Sequence, residues 1–165
     1  LSEASELFDV RSALEVLATR RAAQNVARQP ASAEHSTREL LADLAIRFEA
    51  ATVELAAGED PTAYYALTEE LDAAVDSAAG NSHLADALRG VRVHLGRLRR
   101  LSRHSPGRLA GSAREHAAIA RAVAAGNPQL AAATTTVHLQ QALTYLLADA
   151  PEPTDATPSP QETTP

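Results

Sequence analysis

Residues 60–81 read DPTAYYALTEELDAAVDSAAGN, and this stretch carries one helix with both of its ends marked. Asp60 offers an acceptor cap, Pro61 sits in the first turn where a missing N–H costs little, and Gly80 closes the helix after Ala79. The same punctuation recurs on either side. A first helix is expected from about Ser5 to Arg28, ended by Gln29-Pro30 because proline biases the preceding residue away from helix. A second spans about Ala33 to Ala57 and stops at Gly58. Asn81 caps a fourth, which breaks at Ser105-Pro106-Gly107. A fifth covers about Arg108 to Ala125 and stops at Gly126, and Asn127-Pro128 opens a sixth.

Apolar residues recur at spacings of three and four, the helical period. The candidate inner positions are Leu7, Val10, Leu14, Leu17 and Val26 on the first helix. The second offers Leu40, Leu41, Leu44, Phe48 and Leu55. The fourth offers Leu84, Leu88, Val91, Leu95, Leu98 and Leu101. Leu130, Val137, Leu139, Leu143, Leu146 and Leu147 serve the sixth. Short connections favour antiparallel neighbours. The expected fold is all-α, an antiparallel bundle of about six helices in a single domain over residues 1–150. Residues 151–165, PEPTDATPSPQETTP, hold no large apolar side chain and are expected to form a disordered tail.

The 165 residues are enough to bury one core. There is no Cys, which excludes disulfides and thiolate metal sites and suits a reducing, cytoplasmic setting. No apolar run approaches the ~20 residues of a membrane span, and no signal peptide opens the chain. The net charge of −6 argues against this segment gripping nucleic acid alone, since phosphate neutralisation supplies most non-specific affinity. Abundant Ala and Arg without Lys points to a GC-rich bacterial genome. The absence of Met suggests a piece of a longer protein.

Recognisable nucleophile elbows, phosphate loops and zinc motifs are all absent. What remains is His, Asp and Arg on helices. His116 shares its face with Ala113, Ile119 and Val123 and is expected to point toward the core. His138 shares a mixed face with Thr134, Gln141, Ala142 and Tyr145, and is expected to be partly buried. Each alone is more often a packed histidine than a ligand. Asp72, on the face of Thr68 and Val75, is by default a solvated helix residue. Were the three to converge, imidazole and carboxylate would suit a divalent metal. His35, His83, His94 and His104 are weaker candidates. The Arg-rich fourth helix has three readings: a nucleic-acid patch without aromatic interleaving, a solvated face paired with neighbouring acids, or one or two arginines turned into a cavity to clamp a carboxylate.

The order of segments resembles a known family. ELFDVRSALEVLATRRAA is similar to the first helix of the FadR-type C-terminal domain of GntR transcription regulators. DPTAYYALTEELDAAVDSAAGN resembles its third helix and the turn after it. LRRLSRHSPGRLAGSAREHAAIARAVAAGNPQLAAATTTVHLQQAL resembles the remainder, with its EHxAI helix and a final helix containing HL. The resemblance covers about Ser5 to Leu147. It implies an antiparallel effector-binding bundle that follows a DNA-binding winged helix, expected to belong to a longer regulator from which these residues come. Many members hold a divalent metal with an Asp and a His one turn apart in the third helix, plus one His from each of two later helices, and bind an organic acid beside it.

Carried over by position, His116 and His138 fit the two later histidines, while Thr68 stands where the family has Asp and Asp72 where it has His. A shifted alignment would put Asp72 and Asp76 on that pair at the cost of a deleted helical turn. The implied metal set is Asp72, His116 and His138, for zinc, nickel or manganese. Arg11 matches the family's first-helix Arg and, with Thr68, is the implied effector contact. The expected function is therefore non-enzymatic: sensing a small carboxylate within a homodimeric regulator that reaches DNA only through a winged helix. A metal-dependent enzyme with a two-His-one-carboxylate site and a purely structural helical module remain the alternatives.

Overall fold

A computed structural model of the chain describes residues 2–29, 36–101 and 105–148. The expected disordered tail, His35 and His104 lie outside the described residues. Six helices make up the fold: α1 (Ser2–Arg28), α2 (Thr37–Ala56), α3 (Thr62–Ala79), α4 (Ser82–Leu101), α5 (Pro106–Ala124) and α6 (Pro128–Ala148). There is no strand among the described residues.

Four of the helices, α2, α3, α4 and α6, start where a side chain satisfies an exposed N–H group. Ser36 and Glu39 form a reciprocal capping box at the head of α2. Asp60 accepts from the Thr62 amide at 2.9 Å. Asn81 and Asn127 accept from the amides of Leu84 at 3.1 Å and Leu130 at 3.0 Å. The second helix begins at Thr37 rather than at Ala33, because Ser36 supplies the cap.

Hydrogen bonds between helix ends fix the direction of the bundle. Arg38, in the first turn of α2, donates to the carbonyl of Val26 near the end of α1 (3.0 Å) and to that of Ala124 at the end of α5 (2.7 Å). Asn25 on α1 donates to Ala78 and Ala79 at the end of α3 (2.8 and 3.3 Å), and Arg21 reaches Ala79 as well. The C-termini of α1, α3 and α5 therefore meet at one end of the bundle, where α2, α4 and α6 begin. Alternating directions follow, as the short connections imply. Cationic donors at these carbonyls also meet the negative ends of the helix dipoles.

Two apolar clusters hold the helices together. The larger draws on all six helices around Phe48, Leu41, Leu44, Val26 and Val123, with Leu84 and Leu88 from α4, Ala131 from α6 and a large share of alanine. A smaller one at the far end pairs Phe8 with Leu139, flanked by Leu7, Val91, Leu143 and Leu146. Several expected inner positions are instead exposed: Val10, Leu17, Leu40, Leu130, Val137 and Leu147. On α1 the buried stripe runs Phe8, Arg11, Ala18, Ala22, Val26. The face is rotated from the one its larger aliphatic residues suggested.

Gly126 adopts φ +65°, and a Cβ there would sit 3.0 Å from Cα and Cβ of Ala27. Gly58, at φ +85°, has nothing within 4 Å. Gly126→Ala should therefore cost both the left-handed backbone and an overpacking penalty of about 1–3 kcal/mol, whereas Gly58→Ala should cost the backbone alone. Denaturant unfolding of the two variants checks this. Equal losses would mean that the close approach of α1 to the α5–α6 turn carries no energy.

Candidate functional site

Between the two apolar clusters lies a polar layer with a cavity of about 430 Å³, counting the space open to solvent at its mouth. Five helices line it. Arg11, Glu15 and Thr19 come from α1, Asp72 from α3, Arg92 from α4, His116 from α5, and Thr135 and His138 from α6. Helical spacing explains the α1 contribution. Residues 8, 11, 15, 18 and 22 share one face, so the stripe that buries Phe8 and Ala22 must carry Arg11 and Glu15 between them.

The charges of this layer are paired. Arg11 is 8% exposed, donates from Nε to Glu15 at 2.8 Å, and lies 5.1 Å from the Phe8 ring centroid, within cation–π range. Arg92 grips Asp76 through both terminal nitrogens, at 2.5 and 3.2 Å. Its Nε is 3.2 Å from Asp72 Oδ2 but out of line for a hydrogen bond, which leaves that N–H buried and unbonded. Arg108 holds Glu115 bidentately, at 2.9 and 3.2 Å.

The histidines sit against one another, with ring centroids 4.4 Å apart. His138 is 4% exposed and its Nδ1 lies 2.7 Å from Glu115 Oε2. His116 stacks on Phe48 at 5.2 Å, with Nδ1 3.2 Å from the Tyr64 hydroxyl. That hydroxyl donates to Ser112 at 2.8 Å. This chain is consistent when Nδ1–H of each ring is the donor, to Tyr64 and to Glu115, which puts the lone pair of each neutral ring on Nε2. The Thr135 hydroxyl donates to Thr19 at 3.0 Å.

Of the residues singled out from sequence, Arg11, Asp72, His116 and His138 line this one cavity. Thr68 is buried but does not line it, and its hydroxyl donates to the Tyr65 carbonyl at 2.7 Å. Asp72 is not a solvated helix residue, because Arg92 faces it. Glu15, Arg92 and Glu115 were not singled out. The signal for Glu15 was its place one turn beyond Arg11. Glu115 directly precedes His116 in the EHxAI segment. Arg92 belongs to the helix for which a carboxylate-clamping arginine was one of three readings.

A divalent ion fits this donor set poorly. Among the described residues no group of three or more His, Cys, Asp or Glu side chains is placed to hold one. Thr68 turns its hydroxyl elsewhere, and the charge of Asp72 is met by a guanidinium.

A model of the FCD domain matches residues 6–141. The chain belongs to the FCD family, the regulatory effector-binding domain of GntR-type transcription regulators. No curated protein and no solved structure matches it. Among the described residues no helix is long and apolar enough to cross a membrane.

Two carboxylates of the layer titrate in opposite directions. Burial raises Glu15, but the Arg11 guanidinium, helped by His138 and Arg92, outweighs it and holds the carboxyl below its usual value near 4.5. For Glu115 burial dominates, and the pull of Arg108, His116 and Arg114 does not cancel it, so its carboxyl rises. A lowered folded value means that the stability Glu15 contributes is present above about pH 4.5 and is lost as pH falls below it. The gap in Tm between the native chain and Glu15→Gln should therefore be widest near pH 7 and narrow as pH falls from there to below about 4.5. A gap that stays constant over that range would show that Arg11 does not hold the carboxylate.

Proposed function

We propose that this FCD domain senses a small organic carboxylate, bound in the polar cavity between its two apolar clusters. The observation that supports this reading most is the convergence of Arg11, Arg92, His116 and His138 on one small, partly enclosed space. Arginine presents planar paired donors that match a carboxylate, and the imidazoles can add one donor or acceptor each. The lining is mainly polar, as a site for a small charged ligand requires. Leu71, Val75 and Ile119 supply the apolar part.

The occupied cavity touches five of six helices, so a ligand that prefers one arrangement of them shifts the bundle toward it. In a homodimer, that shift would alter the spacing of two DNA-binding winged helices carried elsewhere in the bacterial regulator. On this reading the domain is a cytoplasmic sensor and not an enzyme. A metal-assisted catalyst has less support, since Asp72 is engaged by Arg92 and no group of three or more His, Cys, Asp or Glu side chains among the described residues is placed to hold an ion.

Thermal unfolding of the full chain against acetate, lactate, malonate, succinate and related acids tests the reading. An acid at a hundred times its Kd should stabilise by about 2.7 kcal/mol and raise Tm by roughly 5–10 °C. Arg11→Met should lose most of that shift. No shift with any acid, with or without added zinc, nickel or manganese, would overturn the proposal.

A further inference from the structure

We infer that the cavity takes its acid without a divalent ion, on the guanidinium of Arg92, and that Asp72 is a built-in counter-ion which the acid displaces. This deepens the sensing function proposed above and rests on it. The guanidinium is anchored from behind. Both terminal nitrogens hold Asp76, which does not line the cavity, so the fork is fixed in place before any ligand arrives. Its remaining edge is the one formed by Nε and the second hydrogen of a terminal nitrogen. Arg92 lines the cavity, and the Nε–H of that edge is buried without a hydrogen bond.

A buried donor left without a partner is costly and rare in folded proteins. Asp72 stands 3.2 Å away and supplies charge but not alignment. A ligand carboxylate entering from the cavity side would accept from that edge in the bidentate manner guanidinium favours. It would gain the aligned bond that Asp72 does not make. Asp72 is the more exposed of the two acids around Arg92, at 27% against 18% for Asp76, so it can turn toward solvent while Asp76 keeps the anchor.

The same pair argues against a metal. A divalent ion on Asp72 would have to share the carboxylate with a guanidinium that already lies 3.2 Å from it, and it would find no three-ligand set among the described residues. The positive charge that a metal would present to an acid is here already covalently part of α4.

Isothermal titration of the full chain, stripped over a chelating resin and checked for residual metal by mass spectrometry, tests this with the acids of the thermal panel. The account expects an acid to bind the stripped protein and zinc to leave its Kd unchanged. Arg92→Met should weaken binding on the order of tenfold to a hundredfold, the loss of one charged hydrogen-bonded pair. Arg92→Lys should recover only part of it. Asp72→Asn keeps the shape, removes the competing charge, and should tighten binding several-fold, a gain that a merely destabilised variant would not give. Acid binding that appears only when zinc, nickel or manganese is restored overturns this inference and leaves the sensing function intact. So does unchanged or weaker binding by Asp72→Asn. Failure of every acid to bind, with or without metal, overturns both.

Discussion

The structure depends on how a layer of charge is kept inside an apolar bundle. Glu15, Asp72, Asp76 and Glu115 meet Arg11, Arg92 and Arg108 between the large core around Phe48 and the small one around Phe8 and Leu139. Unpaired, any of them would cost several kcal/mol to take out of water. Paired, they roughly break even, so the layer is better understood as a site than as a stabilising feature. The apolar clusters and the carbonyl clamps by Arg38, Asn25 and Arg21 hold the bundle around it.

Helix number and boundaries were legible because they rest on local chemistry. Asp60, Asn81 and Asn127 cap where their sequence positions suggest, and Gly80 takes the left-handed conformation that ends α3. The inner faces were less legible. The core of this bundle is largely alanine: Ala22, Ala23, Ala113, Ala117, Ala120, Ala122 and Ala131 are all buried. Alanine lets helices approach closely, but its small side chain marks neither face strongly. A reading weighted toward Leu and Val therefore chose Val10 and Leu17 on α1 and Leu130 and Val137 on α6, and all four are exposed.

The same rotation explains what was legible of the site. His116 and His138 stood out because they are chemically distinctive on helices of known phase. Arg11 stood out by resemblance. Glu15 and Arg92 look like ordinary surface charges in sequence, and only the packing of α1 against α6 and α4 turns them inward. The pairing of Arg92 reverses the default reading of Asp72, whose partner lies twenty positions on in another helix. That separation carries no periodic signal, so no pattern within one helix could have announced it.

A high-resolution crystal structure of the chain with a bound organic acid measures the central claim most directly. The account predicts the acid's carboxylate within hydrogen-bonding distance of Arg92, beside His116 and His138, with Asp72 turned away and Asp76 still held. An acid bound elsewhere on the bundle, or one held through a metal ion between Asp72 and the histidines, would contradict it.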